Sequence, residues 1–135
     1  MLYFRRVIVS GAFLAEAAAT VDNKLNISGG VLSKFTVGPD RRAWFVLVVL
    51  TRADGDVQDR KVTVEIKPPT LDDPIRQEFE VPEISVSEFP GFAFFDVETV
   101  LPFDGRWAIE VSGGGETVSL PLLVSSWTPP AAAEN

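Results

Sequence analysis

Two groups of aspartates are the side chains in this chain best spaced for chemistry. "ADGDVQD" sets Asp54, Asp56 and Asp59 on a glycine-containing turn. Closely spaced carboxylates are the oxygen donors that calcium takes. No glutamate stands at the twelfth position of an EF-hand loop, and the spacing fails. A solvated hairpin tip is the simpler reading. Asp72 and Asp73 are adjacent, beside prolines. Paired acids can hold a cation or share the acid and base roles of glycoside hydrolysis. Adjacent acids in a loop are more often plain turn residues.

The chain contains 0 histidines and 0 cysteines. Serine–histidine–acid triads, histidine-ligated zinc and any imidazole acid–base are therefore excluded. Disulfides, thiolate metal sites and a cysteine nucleophile are excluded as well. Carboxylate pairs, lysine chemistry and oxygen-ligated metal remain. "SGGGET" is no phosphate loop, because no lysine–serine or lysine–threonine follows it. Asn26-Ile27-Ser28 fits a glycosylation pattern, and a wet strand face explains Asn26 more simply. The expectation is a protein that is not an enzyme and carries no cofactor or metal.

The net charge is −7, and it is unevenly placed. Between Thr70 and Glu98 the acids are Asp72, Asp73, Glu78, Glu80, Glu83, Glu88, Asp96 and Glu98, with Arg76 the only base. Eight acids against one base give −7, so the remainder balances. A chain without a basic stripe is a poor nucleic-acid binder. The acidic segment suits a solubilising edge, or a basic partner surface. Candidate binding residues are thus Asp72, Asp73, Glu78, Glu80 and Glu83. Trp127 joins them because it lies beyond the last clear strand, where it can pin the tail or anchor a partner. Trp44 and Trp107 could also form a ligand platform, but Trp107 alternates with core positions.

The elements that must position these residues read as strands. In "RRAWFVLVVLTR" both parities are apolar, which predicts a central strand covered at least partly on both faces. "RKVTVEIKPP" alternates Val62, Val64 and Ile66 with polar residues and stops at Pro68-Pro69. "RQEFEVPEISV" reads as an acid-protected edge strand. "FAFFDVETVLPF" is a further strand. "RWAIEVSGGGETVSLPLLVSS" is a hairpin, with its glycines at the turn. The tail "TPPAAAEN" is expected to fray. A length of 135 residues gives one domain, assigned to residues 1–127 with a tail at 128–135. The expected fold is all-β: an antiparallel immunoglobulin-like sandwich of about seven to nine strands.

"VIVSGAFLAEAAATVDNKLNISGG" can be read as a signal peptide, an alanine-rich helix or a hairpin. The apolar stretch is short for a signal peptide and is broken by Glu16. A helix from Gly11 to Thr20 is short for stability. Asp22-Asn23 is a tight-turn signal that needs a strand on each side. Val7 to Val21 is therefore expected to be a strand that stays in the mature protein.

The pattern "LAEAAATVDNKLNISGGVLSKF", with "AWFVLVVLTR" and the later "LP…G.W…V" hairpin, resembles a bacterial and phage-associated family of unknown function. The resemblance implies a β-sandwich and no catalytic residues. It points to a virion or prophage accessory component, cytoplasmic or virion-borne, not exported by this segment. The function expected is a non-catalytic binding or assembly module that engages a protein partner or itself, with no nucleic acid and no membrane. The alternative is a small-ligand or carbohydrate-binding domain, with calcium as an aid.

Overall fold

The computed structural model describes residues 7–53, 59–87 and 89–128. Their strands are β1 (Ile8–Ala15), β2 (Ala17–Val21), β3 (Lys24–Ser28), β4 (Lys34–Val37) and β5 (Arg42–Arg52). These are followed by β6 (Lys61–Lys67), β7 (Ile75–Glu80), β8 (Gly91–Val100), β9 (Gly105–Gly113) and β10 (Glu116–Ser126). One 3-10 turn, Glu83–Ser85, stands between β7 and β8. The fold is all-β and sandwich-like. Among the described residues no helix is long and apolar enough to cross a membrane.

The strands form a three-stranded sheet in the order β1-β5-β8, a five-stranded sheet in the order β4-β10-β9-β6-β7, and a separate β2-β3 hairpin. Two-residue alternation turns one face of each large sheet inward. Phe45, Leu47 and Val49 of β5 meet Val62, Val64 and Ile66 of β6, Trp107, Ile109 and Val111 of β9, and Leu122 and Val124 of β10 in one buried cluster. Trp107 is fully buried in it, and its indole N–H donates to the Phe103 carbonyl at 2.9 Å. A buried indole needs such a partner. Trp107 is a core residue.

Strand count and the opening strand need correcting. Among the described residues there are ten strands, more than the seven to nine expected. One added strand is β4, which lies parallel to β10. Another arises because Val7 to Val21 is not one strand. β1 pairs with β5, β2 pairs with β3, and the chain changes partner at Glu16. Glu16 N–H bonds to the Ser28 carbonyl at 3.1 Å, closing the neck of the hairpin. Gly29 lies there at φ +64, with the Glu16 side chain packed where a Cβ would stand, so glycine fits this corner and larger residues do not. Asp22 and Asn23 have φ of 52 and 60, the geometry of a type I′ turn. That turn is where the sequence places it. The glycine turn between β9 and β10 is likewise in place, with Gly114 at φ 63 and Gly115 at φ 85.

Arg41, in the loop before β5, ties the β8-β9 loop to the end of β10. Its Nε donates to the Leu101 carbonyl at 2.8 Å, and its Nη1 reaches Asp104 Oδ1 at 2.8 Å and Ser126 Oγ at 2.7 Å. Ser126 in turn donates to both Asp104 oxygens. These bonds hold Arg41 at φ 61, a conformation that costs a non-glycine residue about 1–2 kcal/mol.

Candidate functional site

The outer faces of the two large sheets differ in chemistry. On the five-stranded sheet the outer face is mostly polar across β6, β7 and β9, while β10 adds Pro121 and an exposed Leu123. Glu65 and Glu110 stand directly opposite one another on β6 and β9, an arrangement that repels. Lys67 lies between them and pairs with Glu110, while Arg76 reaches Glu65 and Glu78. The hydrogen bond from Lys67 to Glu110 holds the ammonium above its ordinary range, aided by the charges of Glu110 and Glu65. Ser112 and Thr117 extend this wet face at 3.0 Å from each other.

On the three-stranded sheet the outer face is apolar. β5 turns Trp44, Val46, Val48 and Leu50 outward. Register sets Phe13 and Phe94 on either side of Val48, and Gly11 and Phe92 on either side of Leu50. Val46 and Val48 are buried although they face away from the sandwich core. The β2-β3 hairpin accounts for this, since β2 lies against β5. Ile27 and Phe13 also close on Gly30 at its neck. Coverage is incomplete. Leu50 is 39% exposed and Trp44 58%. At the hairpin tip, Thr20 and Asn23 face Ile84, Pro90, Gly91 and Phe92 across a cleft of about 560 Å³. Ile84 is 95% exposed and nearby Phe89 70%. At the other end Arg42, Trp44, Glu98 and Val100 line a second, shallower cleft.

β8 borders this face with a free edge. Among the described residues its one hydrogen-bonded neighbour is β5. The residue after β8, Leu101, donates its N–H to the Arg41 carbonyl at 2.9 Å. Odd-numbered residues along β8 therefore exchange bonds with β5, and even-numbered ones turn both backbone groups away. The Glu98 carbonyl agrees with this phase: it accepts from Gln77 Nε2 of β7 at 3.0 Å. Phe92, Phe94 and Asp96 thus point N–H and C=O outward, and among the described residues no backbone group outside the sheet meets them. On the inner side Phe79 stacks on Phe95 with centroids 4.8 Å apart, closing the core below this edge.

The residues singled out in the sequence do not converge on this surface. Asp72 and Asp73 occupy the loop between β6 and β7, where Asp72 accepts a hydrogen bond from Thr70. Glu78 and Glu80 project from β7, the edge strand that its sequence suggests, and pair with Arg76 and Arg60. Glu83 opens the 3-10 turn. Trp127 bonds its backbone N–H to the Val37 carbonyl at 2.8 Å and leaves its ring 57% exposed. Among the described residues no three acids gather as a metal site. Asp54, Asp56 and Glu88 lie outside the described residues, as do 129–135 of the tail. Asp59 Oδ1 accepts from the Lys61 N–H at 3.0 Å.

Sequence reasoning passed over the outward backbone phase of β8. The apolar even parity of β5 was the one available signal of the outer face. No family model, curated protein or solved structure matches the chain.

Proposed function

We propose that this chain is a non-catalytic binding or assembly module, and that it engages protein through the outer face of β1-β5-β8 and the edge of β8. The observation that carries the reading is the asymmetry of the two outer faces. One is laced with ion pairs. The other presents Leu50, Phe92, Phe94 and Trp44 beside unpaired backbone groups. Extended segments bind such edges through main-chain bonds, with side chains entering flanking apolar sites. Asp96 and Glu98 of β8, exposed on this face, favour partners carrying positive charge.

The strand order supports an immunoglobulin-like version of the sandwich. Lettering β1, β5 and β8 as A, B and E, and β6, β9 and β10 as C, F and G, reproduces the neighbours A-B-E and C-F-G. The fourth strand of the first sheet has no counterpart, and the β2-β3 hairpin is an addition. The setting implied by the resemblance is a virion or prophage accessory component, for which capsid or tail genes beside its own are the check.

The test is selection of extended peptides from a displayed random library against the intact protein. Selected peptides should lose binding to Leu50→Asp and keep it on Lys67→Ala, a change on the opposite face. Peptides insensitive to Leu50→Asp would refute the reading. A second reading, a carbohydrate platform, draws on exposed Trp44 with Arg42 and Glu98 beside it. Quenching of tryptophan fluorescence by a sugar panel, lost in Trp44→Ala, is its signature.

A further inference from the structure

We infer that the occupant of the β8 edge is a second copy of this chain, paired β8 to β8 antiparallel about a two-fold axis at Phe94. The inference rests on the interaction surface proposed above and names its partner. The sheet would then run β1-β5-β8 into the partner's β8-β5-β1 without interruption.

Backbone phase permits this pairing. Residues whose N–H and C=O point outward must face one another, so even positions pair with even positions. With Phe94 opposite Phe94 of the second copy, Phe92 lies opposite Asp96, and about six new backbone hydrogen bonds form. The Gln77 amide on the Glu98 carbonyl then limits the pairing to positions before 98. An isologous contact of this kind closes on itself and does not propagate into fibres.

Charge selects the register. β8 carries two exposed acids on its outer face, Asp96 and Glu98, and neither forms an ion pair among the described residues. Charged side chains on an edge discourage pairing unless they find a counterpart. Arg52 supplies one. It is exposed, ends β5 on the outward parity, and lies one position beyond the Thr51–Gly91 pair. It also makes no ion pair among the described residues. Its neighbour across the sheet is thus Pro90, which the Phe94 register sets opposite Glu98 of the second copy. Arg52 of each copy then reaches Glu98 of the other, twice by symmetry. A register shifted toward Glu98, with Phe94 opposite Asp96, sets Glu98 against Phe92 and Leu50 and leaves it without a cation.

Sedimentation of the full chain across a concentration series tests this. The wild type should show a monomer–dimer equilibrium. Arg52→Glu and Glu98→Arg should each weaken the dimer by at least about tenfold, since each sets like charges face to face. The double variant Arg52→Glu/Glu98→Arg should restore it. Both side chains are exposed, so the fold, checked by circular dichroism, should be unchanged. Asp96→Pro, which removes an outward N–H, should abolish the dimer. A protein that stays monomeric through the millimolar range overturns the inference. So does a dimer indifferent to the charge exchange. Peptide binding that depends on Leu50, seen with a monomeric protein, would leave the binding surface standing while the self-pairing fails. Loss of both would refute both.

Discussion

Gly91→Ala should destabilise the protein far more than an exchange of hydrogen for methyl suggests. Gly91 has no positive φ, so the cost is steric. A Cβ there would stand 3.2 Å from Thr51 Oγ1 and 3.3 Å from the Ser85 carbonyl carbon, and closer still to the Ser85 oxygen. That oxygen is backbone and cannot rotate away. It also accepts the hydrogen bond of Thr51, a fully buried hydroxyl, at 3.0 Å. Relieving the overlap means moving the 3-10 turn away from β5. Overpacking of this kind costs about 1–3 kcal/mol, and a buried hydroxyl left unpaired about 1–3 more. The expected loss is about 2–6 kcal/mol, read from urea unfolding followed by tryptophan fluorescence. Gly38→Ala is the control, since its Cβ would meet only Asp40 Oδ1 at 3.8 Å, and it should be neutral or stabilising by up to about 1 kcal/mol. The displaced turn should also loosen the bond from Ala53 N–H to the Ser87 carbonyl, now 3.0 Å, and speed exchange of that amide. A loss below about 1 kcal/mol for Gly91→Ala would refute the packing described for this end of the sheet.

Other outcomes follow from the same geometry. Trp107→Ala should cost about 3–5 kcal/mol in urea unfolding, as large-to-small core changes do. Trp44→Ala should stay within about 0.5 kcal/mol, because more than half of that side chain is in solvent. Hydrogen bonds from Ser126 and then Arg41 hold the Asp104 carboxyl below the usual carboxylate range. A lowered folded value means its contribution is present above the unfolded value near pH 4 and fades as pH falls through the folded one. Asp104→Asn should therefore remove that part of the acid limb of a melting-temperature profile and leave the limb otherwise unchanged. Lys67 runs the opposite way. Its raised value means its contribution is full below the ordinary lysine range and is lost as pH rises through the folded value. Lys67→Met should flatten the alkaline limb of the same profile.

Local patterns were readable wherever neighbours in the chain decide the outcome. Period-two alternation located β6, β9 and β10, and Asp22-Asn23 located a turn, because side-chain direction and φ preference act over a few residues. The doubly apolar β5 announced that both its faces are covered at least in part, as they are. What covers the outer one was not readable, since the β2-β3 hairpin returns over β5 through a partner change at Glu16. β4 escaped notice because a four-residue parallel strand has too short a pattern. The candidate surface was less legible still. Asp96 and Glu98 were visible as members of an acidic segment, and Trp44 as an aromatic. Whether β8 is an edge, and which of its residues turn their backbone outward, depends on pairings with residues some fifty positions away. Arg52 and Gln77 gain their importance from those pairings alone.

The most direct test of the free β8 edge is residue-resolved amide hydrogen exchange along β8, in dilute and in concentrated protein. In dilute solution Ala93, Phe95 and Val97 should be protected by β5, while Phe92, Phe94 and Asp96 exchange freely. On concentration the three even-numbered amides should gain protection as the second copy arrives. Protection of Phe92, Phe94 and Asp96 already in the dilute monomer, or continued free exchange at concentrations where the protein sediments as a dimer, would contradict the open edge and its pairing.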